Sequence, residues 1–511
     1  MTVTASRPAA VDDGPRARSG RVLGVLLLGQ FMAILDVSIA NVAAPTIRRD
    51  LHTGGAGLQL VVAGYTIAYA MLLITGARLG DRLGHRRVFL TGLAGFTAAS
   101  LACGLSGAAG ELIGFRLVQG AGAALMIPQV FSLIQRQYQG RARARALSRY
   151  AAVIASGAIV GQVLGGVLVT ADLFGTAWRP VFLINVPIGA VLLLAGARVL
   201  PADTGEPGRG LDLPGLVTLS LSVLLFVVPL VFGHEEHWPL WGWLSLAASV
   251  VMLGLFVAVE RRAAAPLIPG RVLRAPGMVA AAGAIFAAMA TYGGFLFTLA
   301  LHLQSGLGFS PQRAGATFIP AAVSFAAASL NWRRIPAGRH RRMIPVALLV
   351  GAASLALMAA AVRGGHLGGW FYPSQVGFGL GFGAAFSPLL TLALTHVPPA
   401  DAADASGLLT TVTQLAQVVG VASFGSLYLS LVANRPSGPA TGTTALYEAG
   451  ATLLAAAFAA LLPRARRLLP EAALVERADH GQRHGPGQHL GGERPDLVDG
   501  HRVHEGEQFV H

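Results

Sequence analysis

The chain alternates between long apolar runs and short polar connections along most of its length. The runs have the length, about 20 residues, that a helix needs to cross the hydrocarbon core of a bilayer. The short alternating segments of a membrane β-barrel are not seen. The pattern predicts an all-α polytopic membrane protein with about fourteen transmembrane helices, at 22–43, 58–77, 88–108, 111–134, 147–170, 181–200, 213–233, 240–259, 278–300, 314–331, 344–362, 371–395, 404–431 and 445–462.

The polar connections alternate in charge. Arginines are concentrated at 78–87, 136–149, 260–274 and 332–342, whereas most of the intervening connections carry at most one. Arg48 and Arg49, after the first helix, are the exception. Because basic connections stay on the cytoplasmic side, we expect a multi-pass protein of the cell membrane with both termini in the cytoplasm.

Composition agrees with a membrane protein and restricts the partners. Of 511 residues, 54% are hydrophobic and 12% are charged, and the formal net charge is +14. The arginines lie in short connections, where topology and anionic lipid headgroups explain them, so we expect the lipid bilayer rather than nucleic acid as the partner. The single cysteine, Cys103, excludes an internal disulfide and a CxxC metal site.

A basic sequence recurs in the second half of the chain. Gly84-His85-Arg86-Arg87 follows the second predicted helix, and Gly338-Arg339-His340-Arg341-Arg342 follows the tenth. If helices 7 and 8 are inserted, helices 9–14 repeat helices 1–6, as in many secondary transporters. The alternative is that basic connections simply look alike. The predicted domains are a cytoplasmic tail at 1–20, a six-helix bundle at 21–200, two inserted helices with flanking loops at 201–277, a second six-helix bundle at 278–462 and a disordered, His-rich tail at 463–511.

Two charged residues lie inside apolar helices. Asp36 is near the end of the first predicted helix and Arg116 is near the start of the fourth, which places both about 8–11 Å inside the outer boundary. A charge within the membrane is costly unless it is paired. We expect Asp36 and Arg116 to form a proton-coupling site, since protonation of Asp36 would weaken its hold on Arg116 and bias two conformations. The alternative is a static ion pair that only joins helices 1 and 4.

Five motifs occur in order along the first six predicted helices. They are Leu35-Asp36-Val37-Ser38-Ile39-Ala40-Asn41-Val42-Ala43-Ala44-Pro45, the segment 78–87, Arg116-Leu117-Val118-Gln119-Gly120-Ala121-Gly122, the glycines 157, 161, 165 and 166, and Trp178-Arg179-Pro180-Val181-Phe182-Leu183-Ile184-Asn185-Val186-Pro187-Ile188-Gly189. Together they resemble the major facilitator superfamily and, within it, the fourteen-helix drug:proton antiporter family, over about residues 20–462. The chain departs from the motifs at Ala77, where a glycine is usual, and at Gln162, where a proline is usual.

The resemblance implies the major facilitator fold and two roles beyond proton coupling. It implies that Asp81, Arg82, Gly84 and Arg86 form a conformational latch that favours the outward-facing state; the alternative is that these residues only set topology. It also implies that Gly157, Gly161, Gly165 and Gly166 form a tight helix seam that prevents leak. Ordinary packing of small residues in a membrane is the alternative there.

The polar and aromatic side chains of the bundle suggest where substrate binds. By position, the candidate cavity residues are Gln30, Asn41, Gln119, Gln162, Tyr292 and Gln414. Apart from Asp36, the helices offer almost no acid in mid-membrane, which argues against a strongly dicationic substrate. Neutral, amphipathic or monocationic small molecules remain.

The sequence therefore predicts a proton-coupled antiporter that exports hydrophobic drugs or antibiotics by alternating access. The alternative within the superfamily is an exporter of a narrow endogenous metabolite. An enzyme would need clustered catalytic side chains at a membrane face, and ATP-driven transport would need a Gly-rich Lys loop, neither of which occurs. A channel would need like residues from symmetric subunits. We expect a monomer without cofactor or metal, and the irregular spacing of the tail histidines does not favour a metal site.

Overall fold

The computed structural model describes residues 15–205, 212–233, 236, 238–264, 266–395, 397–398 and 401–463. The all-α prediction is confirmed for these residues. The helices are α1 Pro15–Asp50, α2 Gly55–Leu83, α3 His85–Leu105, α4 Ala109–Gln137, α5 Gly140–Ala171, α6 Pro180–Leu183, α7 Asn185–Val199, α8 Leu213–Phe232, α9 Leu240–Arg262, α10 Gly270–Leu273, α11 Met278–Leu301, α12 Pro311–Thr317, α13 Ile319–Asn331, α14 His340–Val362, α15 Phe371–Leu394, α16 Ala402–Asn434 and α17 Ser437–Ala460.

Twelve helical segments in the described part of the chain are long and apolar enough to cross a membrane, where the sequence predicts about fourteen. The two long helices outside this set are α5 and α17. In α5 the first turns carry several arginines, and only Val160–Ala171 qualifies as a shorter apolar helix. In α17 the buried face carries threonines and Glu448. Both helices nevertheless pack along their length against the other helices.

The basic segment 78–87 is not a loop, contrary to prediction. Helix α2 continues to Leu83, Gly84 alone leaves the helix, and α3 begins at His85. The break occurs at Gly84 because its φ of +93° is accessible to glycine at no steric cost. In the same way, α5 already begins at Gly140, so most of the predicted connection 136–149 is helical. Arginine is a good helix former, and helices can extend beyond the apolar core.

Other helix ends also differ from the prediction. Helix α1 runs through Pro45 to Asp50 rather than ending at residue 43. The predicted helix at 314–331 is divided into α12 and α13, with Pro320 at the start of the second piece. The last helix, α17, begins at Ser437 instead of 445, which moves Glu448 from the end of a helix to its midpoint.

The same set of helix pairs is packed together twice. In the first half α1 packs on α5, α2 and α3 on α4, and α3 and α1 on α7. In the second half α11 packs on α16, α13 and α14 on α15, and α14 and α11 on α17. Aromatic and aliphatic side chains fill both halves, with Phe89 and Phe96 fully buried in the first and Phe378 and Phe382 in the second. The two halves therefore have equivalent helix packing.

Helices α8 and α9 pack on each other, and α8 lies against α2 and α16, where the two halves meet. Reciprocal hydrogen bonds of 3.0 Å between the hydroxyl of Ser222 and the carbonyl of Ser249, and between Ser249 and Ser222, join the pair. After α9, Arg271 forms a 2.6 Å ion pair with Asp401 before α16. We call the arginine-rich end of the bundle, where α2 meets α3 and where α14 begins, the basic face. The other end, where α1 ends and α17 begins, is the opposite face.

The predicted tails fall largely outside the described residues. Residues 1–14 are not described, and the chain divides into two units, Met1–Pro463 and Arg464–His511. The whole second unit, which includes the six histidines of the predicted tail, lies outside the described part of the chain.

Candidate functional site

Asp36 of α1 and Arg116 of α4 meet in the interior of the first half. Both side chains are fully buried, and the Arg116 Nη1 donates a hydrogen bond to the Asp36 Oδ2 within an ion pair. The two charges come from antiparallel helices at the same depth, so they neutralise each other without access to water. A pair of this kind is stable because its geometry and its hydrogen bonds replace lost hydration.

Neutral side chains complete the coordination of Asp36. Its Oδ1 accepts hydrogen bonds from Gln119 Nε2 at 2.8 Å and Asn185 Nδ2 at 2.9 Å. Gln119 also donates to the hydroxyl of Ser100 at 2.7 Å, and its Oε1 accepts from Arg116 at 2.7 Å. The carboxylate thus ties together α1, α4 and α7, with α3 joined through Ser100.

Groups of α2 and α6 also contact the Arg116 side chain. Its Nε donates to the carbonyl of Val61 on α2 at 3.1 Å. The guanidinium carbon lies 4.8 Å from the ring centroid of Tyr65 and 5.5 Å from that of Phe182, within the range of cation–π attraction. Its Nη2 has no hydrogen-bond partner among the described residues. Any loss of negative charge at Asp36 therefore leaves a desolvated cation.

The motif at 178–189 connects α1 to α7 next to this hydrogen-bond network. Trp178 Nε1 and Arg179 Nη1 bind the Asp50 carboxylate at the end of α1, at 2.8 and 3.0 Å. A short helix, α6, follows, and Asn185 at the start of α7 then reaches Asp36. The motif thus joins α1 to α7 at two levels.

Gln119 was predicted to line a substrate cavity, but it lies in the Asp36 network. Asn185 and Ser100 were not predicted as site residues. A polar amide inside the apolar run 181–192 was the available signal for Asn185. Ser100 gave none, because a single serine in a membrane helix usually donates to its own helix.

Among the described residues, no hydrogen bond joins the remaining cavity candidates to one another. Gln30, Asn41 and Gln162 are buried, and their side-chain oxygens have no partner among the described residues. Gln414 is half-buried and accepts from Gln417 Nε2 at 3.4 Å. The pockets of about 280 and 260 Å³ in the described part of the chain are lined by other residues.

Tyr292 belongs to an aromatic cluster of α11, α13 and α15. Its ring lies 5.9 Å from that of Phe325 and stacks on Phe378 at 6.3 Å, and Phe325 contacts Phe386 at 6.5 Å. Tyr292, Phe325 and Phe386 are only partly buried. This aromatic cluster presents flat apolar surface in the second half.

The glycines of α5 lie against α1 with almost no space. A Cβ at Gly157 would lie 3.0 Å from the Ile34 side chain, at Gly161 2.6 Å from the Ser38 Cβ, and at Gly165 2.9 Å from the Ile39 side chain. Gly166 instead faces α12, where a Cβ would lie 2.7 Å from the Cα of Gln312. The stripe therefore lets α5 approach α1 closely, and its last glycine lets α5 approach the second half.

In the segment 78–87, the charged groups bind partners in the first half and in the connections that follow it, and Arg78 donates to the carbonyl of Pro266. Asp81 is exposed and its Oδ1 lies 3.5 Å from the Nε2 of buried His85. The amides at the start of α3, those of His85 and Arg86, donate to Asp203 at 2.6 and 3.0 Å. Asp203, which the sequence analysis did not single out, is thus the acid that caps α3. Arg86 also donates to the carbonyl of Ala197, and Arg82 is exposed.

An acid buried in the middle of a helix was not predicted from the sequence. Glu448 of α17 is 1% exposed and lies in the second half between α17 and α11. The statement that the helices offer almost no acid besides Asp36 was wrong for this reason. The predicted start of the last helix at 445 had placed Glu448 near a membrane boundary.

Comparison with known proteins agrees with the fold. The family model described as Major Facilitator Superfamily matches residues 26–421. The chain belongs to the major facilitator superfamily. It is therefore a multi-pass membrane transporter and not an enzyme.

Curated relatives are antibiotic export and resistance proteins. The probable actinorhodin transporter of Streptomyces coelicolor is 36% identical over 86% of this chain and 78% of its own length. The puromycin resistance protein of Streptomyces alboniger is 34% identical over 86% of each chain. The cephamycin export protein of Amycolatopsis lactamdurans is 37% identical over 77% of this chain and 81% of its own.

Solved structures show the same fold. A D-xylose–proton symporter superposes with a TM-score of 0.62 at 15% identity, over 87% of this chain and 98% of its own. A bacterial homologue of the human lysosomal transporter Spinster gives a TM-score of 0.60 at 18% identity, over 93% of this chain and 100% of its own.

Proposed function

We propose that this major facilitator protein is a proton-coupled antiporter that exports hydrophobic antibiotics across the cytoplasmic membrane. The observation that carries the proposal is the Asp36–Arg116 pair, fully buried and shared among several helices of the first half. An ion pair that only joined two helices would need fewer hydrogen-bond partners than Asp36 has. The relatives that transport or resist antibiotics support the direction of transport and the substrate class.

Protonation of Asp36 would change the balance between two conformations. The charged carboxylate accepts from Arg116, Gln119 and Asn185 at once. A neutral carboxylic acid binds a guanidinium more weakly, so α1 and α4 would be released to move relative to each other. Because the Asp36–Arg116 pair is fully buried in this structure, proton exchange requires another conformation. In that conformation the pair would be accessible to water from one side of the membrane.

The aromatic cluster of α11, α13 and α15 supports a flat apolar substrate. Partly buried aromatic rings offer stacking surface without charge, as drug-sized ligands require. The relatives named for actinorhodin and cephamycin transport support an antibiotic as the substrate.

The arrangement we propose is fourteen helices in a 6+2+6 order, with α8 and α9 inserted between two six-helix halves. Equivalent packing of the halves supports it, and so does the position of α8 against both of them. We further propose that the basic face is cytoplasmic, since arginine-rich connections stay inside. The segment with Asp81, Arg82, Gly84 and Arg86 would then act at the cytoplasmic end, where its exposed Asp81 is free to contact the second half in another conformation.

The test is efflux of ethidium and of aromatic antibiotics from cells, with and without a proton uncoupler. We expect uncoupler-sensitive efflux of at least one compound and its loss in Asp36→Asn at wild-type membrane level. Glu111→Gln, an exposed acid at the start of α4, is the matched control and should retain efflux. Efflux by Asp36→Asn that still follows the pH gradient would overturn the coupling role. Efflux unaffected by the uncoupler in the wild type would overturn proton antiport itself.

A further inference from the structure

Glu448 is an acid without a cation. It lies at the midpoint of α17, is 1% exposed, and its Oε1 accepts a 3.3 Å hydrogen bond from the hydroxyl of Thr298 on α11. Among the described residues, no Lys, Arg or His nitrogen forms an ion pair with it. Asp36, by contrast, has a full set of charged and neutral partners. A buried carboxyl with so little support for its charge is suited to bind a proton.

His302 lies one helical turn beyond Thr298, directly after the last residue of α11. It is fully buried, and neither Nδ1 nor Nε2 has a hydrogen-bond partner among the described residues. It begins a π-helical turn, His302–Gly306, in which the amide of Leu307 donates to the His302 carbonyl at 2.9 Å. π-Turns inside helices are frequent at functional sites. An imidazole buried without partners is a costly arrangement that packing alone does not require.

The register of α11 against α17 places Glu448 and His302 on one line of polar side chains between these two helices, which we call the polar track. At one end a Cβ on Gly306 would lie 2.3 Å from the Ser437 hydroxyl, so the π turn lies beside the start of α17. In the middle Thr298 binds Glu448, and beyond it Thr452 contacts Thr291 at 3.4 Å. Because the helices are antiparallel, His302 lies between the Ser437 level and the Glu448 level.

Buried hydroxyls continue along this interval. Thr441 and Thr444 lie on the same face of α17 as Glu448, at helical spacings of seven and four residues, and both are buried. Each donates its proton to a carbonyl of its own helix, at 2.7 and 3.0 Å, which leaves the oxygen lone pairs able to accept. The interval between His302 and Glu448 is therefore polar rather than apolar.

A pocket opens at the His302 end of the track. It has a volume of about 280 Å³, and its lining includes Arg48, Leu301, Ser305, Gly306, Tyr428 and Ser437. Its residues on α11 and the π turn flank His302 on both sides in sequence. The pocket therefore lies next to the π turn that carries His302.

Few other ionisable groups face the track. Tyr428 of α16 bonds to Thr441, and Arg48 of α1 lines the pocket. From α14, Arg363 lies beside Gly442 at the opposite face, and Arg341 binds the Leu462 carbonyl beyond the other end of α17. On α11 itself, Tyr292 stacks toward α15 rather than α17. The cations therefore lie at the two ends, and Glu448 is the acid between them.

We propose that His302 and Glu448 form a second proton-binding site in the C-terminal half, loaded from the pocket at the opposite face. A proton from pocket water binds an imidazole nitrogen of His302. That N–H bond then breaks as the O–H bond of the Glu448 carboxylic acid forms, and His302 returns to its neutral state. The site is separate from the Asp36–Arg116 pair and does not depend on it.

The test is infrared difference spectroscopy of the purified full-length protein in lipid, recorded while the pH is lowered. We expect the C=O band of a protonated carboxylic acid that is absent in Glu448→Gln and retained in Asp36→Asn. Identical difference spectra for the wild type and Glu448→Gln would overturn the proposal. Since the readout needs no substrate, it remains valid if the proposed antibiotic export is wrong.

The role of His302 is tested by the rate at which the same band shifts after transfer to D₂O. In His302→Phe we expect exchange to be slower by about 100-fold, the low end of what a positioned proton-transfer side chain contributes. His366→Phe, an exposed histidine at the opposite face, is the matched control and should exchange as the wild type does. An unchanged rate in His302→Phe would remove the imidazole from the path.

A measurement on the wild type covers the case in which Glu448→Gln does not fold. Dicyclohexylcarbodiimide reacts with the protonated form of buried carboxylic acids, and peptide mass spectrometry locates the adduct. We expect modification at Glu448 that declines as the pH rises. Glu448 that stays unmodified at every pH at which the protein remains folded would contradict the proposal.

Discussion

At the scale of single residues, Asp36 and Arg116 depend on each other. Removal of one partner of a buried ion pair costs about 3–5 kcal/mol, because the other charge stays buried without compensation. Replacement of both by neutral groups avoids this penalty. We therefore expect Asp36→Asn to lower the thermal midpoint of the purified protein, and Asp36→Asn/Arg116→Gln to recover most of the loss while efflux stays absent.

Thermal unfolding in detergent, followed by intrinsic fluorescence, measures this difference. Asp50→Asn is the control, because its partner Arg179 is partly exposed and keeps water when unpaired. If the single and the double variant unfold at the same temperature, Arg116 is not desolvated as the structure has it.

Gly84 is a residue at which backbone conformation decides the fold locally. Its φ is +93°, and a Cβ would lie 2.7 Å from the carbonyl oxygen of Asp203, the residue that caps α3. A residue other than glycine in such a sparsely populated backbone conformation costs about 1–3 kcal/mol. We expect Gly84→Ala to reduce stability by at least that amount and to reduce efflux, since the α2–α3 junction must shift.

Gly114→Ala is the matched substitution, because it lies in α4 with open space around it and removes a glycine from a helix. It should be neutral or slightly stabilising. Equal thermal midpoints for Gly84→Ala and Gly114→Ala would show that the junction tolerates a side chain.

At the scale of helices, the glycines of α5 bring α1 and α5 into close contact. A Cβ at Gly161 would approach the Ser38 Cβ to 2.6 Å and the Leu35 carbonyl to 2.9 Å. Overpacking of this kind costs about 1–3 kcal/mol and pushes the helices apart. We expect Gly161→Ala in proteoliposomes to collapse an imposed pH gradient faster than the wild type. Gly24→Ala on α1, which meets no atom within 4 Å, should hold the gradient; equal leak rates would reduce the glycine stripe to ordinary packing.

The sequence predicted helices better than helix ends. An apolar run identifies a spanning segment because the bilayer sets its minimum length. It does not show where the helix stops, since polar turns continue beyond the bilayer, as at Leu83 and Gly140. The same uncertainty hid Glu448, which a boundary at 445 placed near the membrane surface.

The part of the candidate site that could be predicted from the sequence is the pair of opposite charges. Asp36 and Arg116 stand out because unpaired charges are rare in apolar helices. Asn185, Ser100 and Asp203 are neutral or lie in a connection, and their roles depend on which helices become neighbours. That information is in the packing of α3 and α7 against α1 and α4, which apolar periodicity does not specify.

At the scale of the whole transporter, the two halves contact each other at the opposite face. The backbone N–H of Gln312 on α12 donates to the Thr170 hydroxyl on α5 at 3.1 Å. The side-chain Nε2 of Gln304 donates to the Val42 carbonyl on α1 at 2.9 Å. Alternating access requires contacts of this kind to open in each cycle. A covalent link across them should therefore stop transport without unfolding the protein.

The link can be made with one pair of substitutions, Thr170→Cys and Gln312→Cys. Both positions are exposed, and the native Cys103 is buried and unable to pair with them. We expect oxidation to abolish efflux in the double variant and a reductant to restore it, because the disulfide would hold α5 against α12. Each single-cysteine variant is the control and should transport in both conditions. Full efflux from a double variant shown by mass spectrometry to be cross-linked would mean that this contact stays closed throughout the cycle, and the opening must then occur elsewhere between the halves.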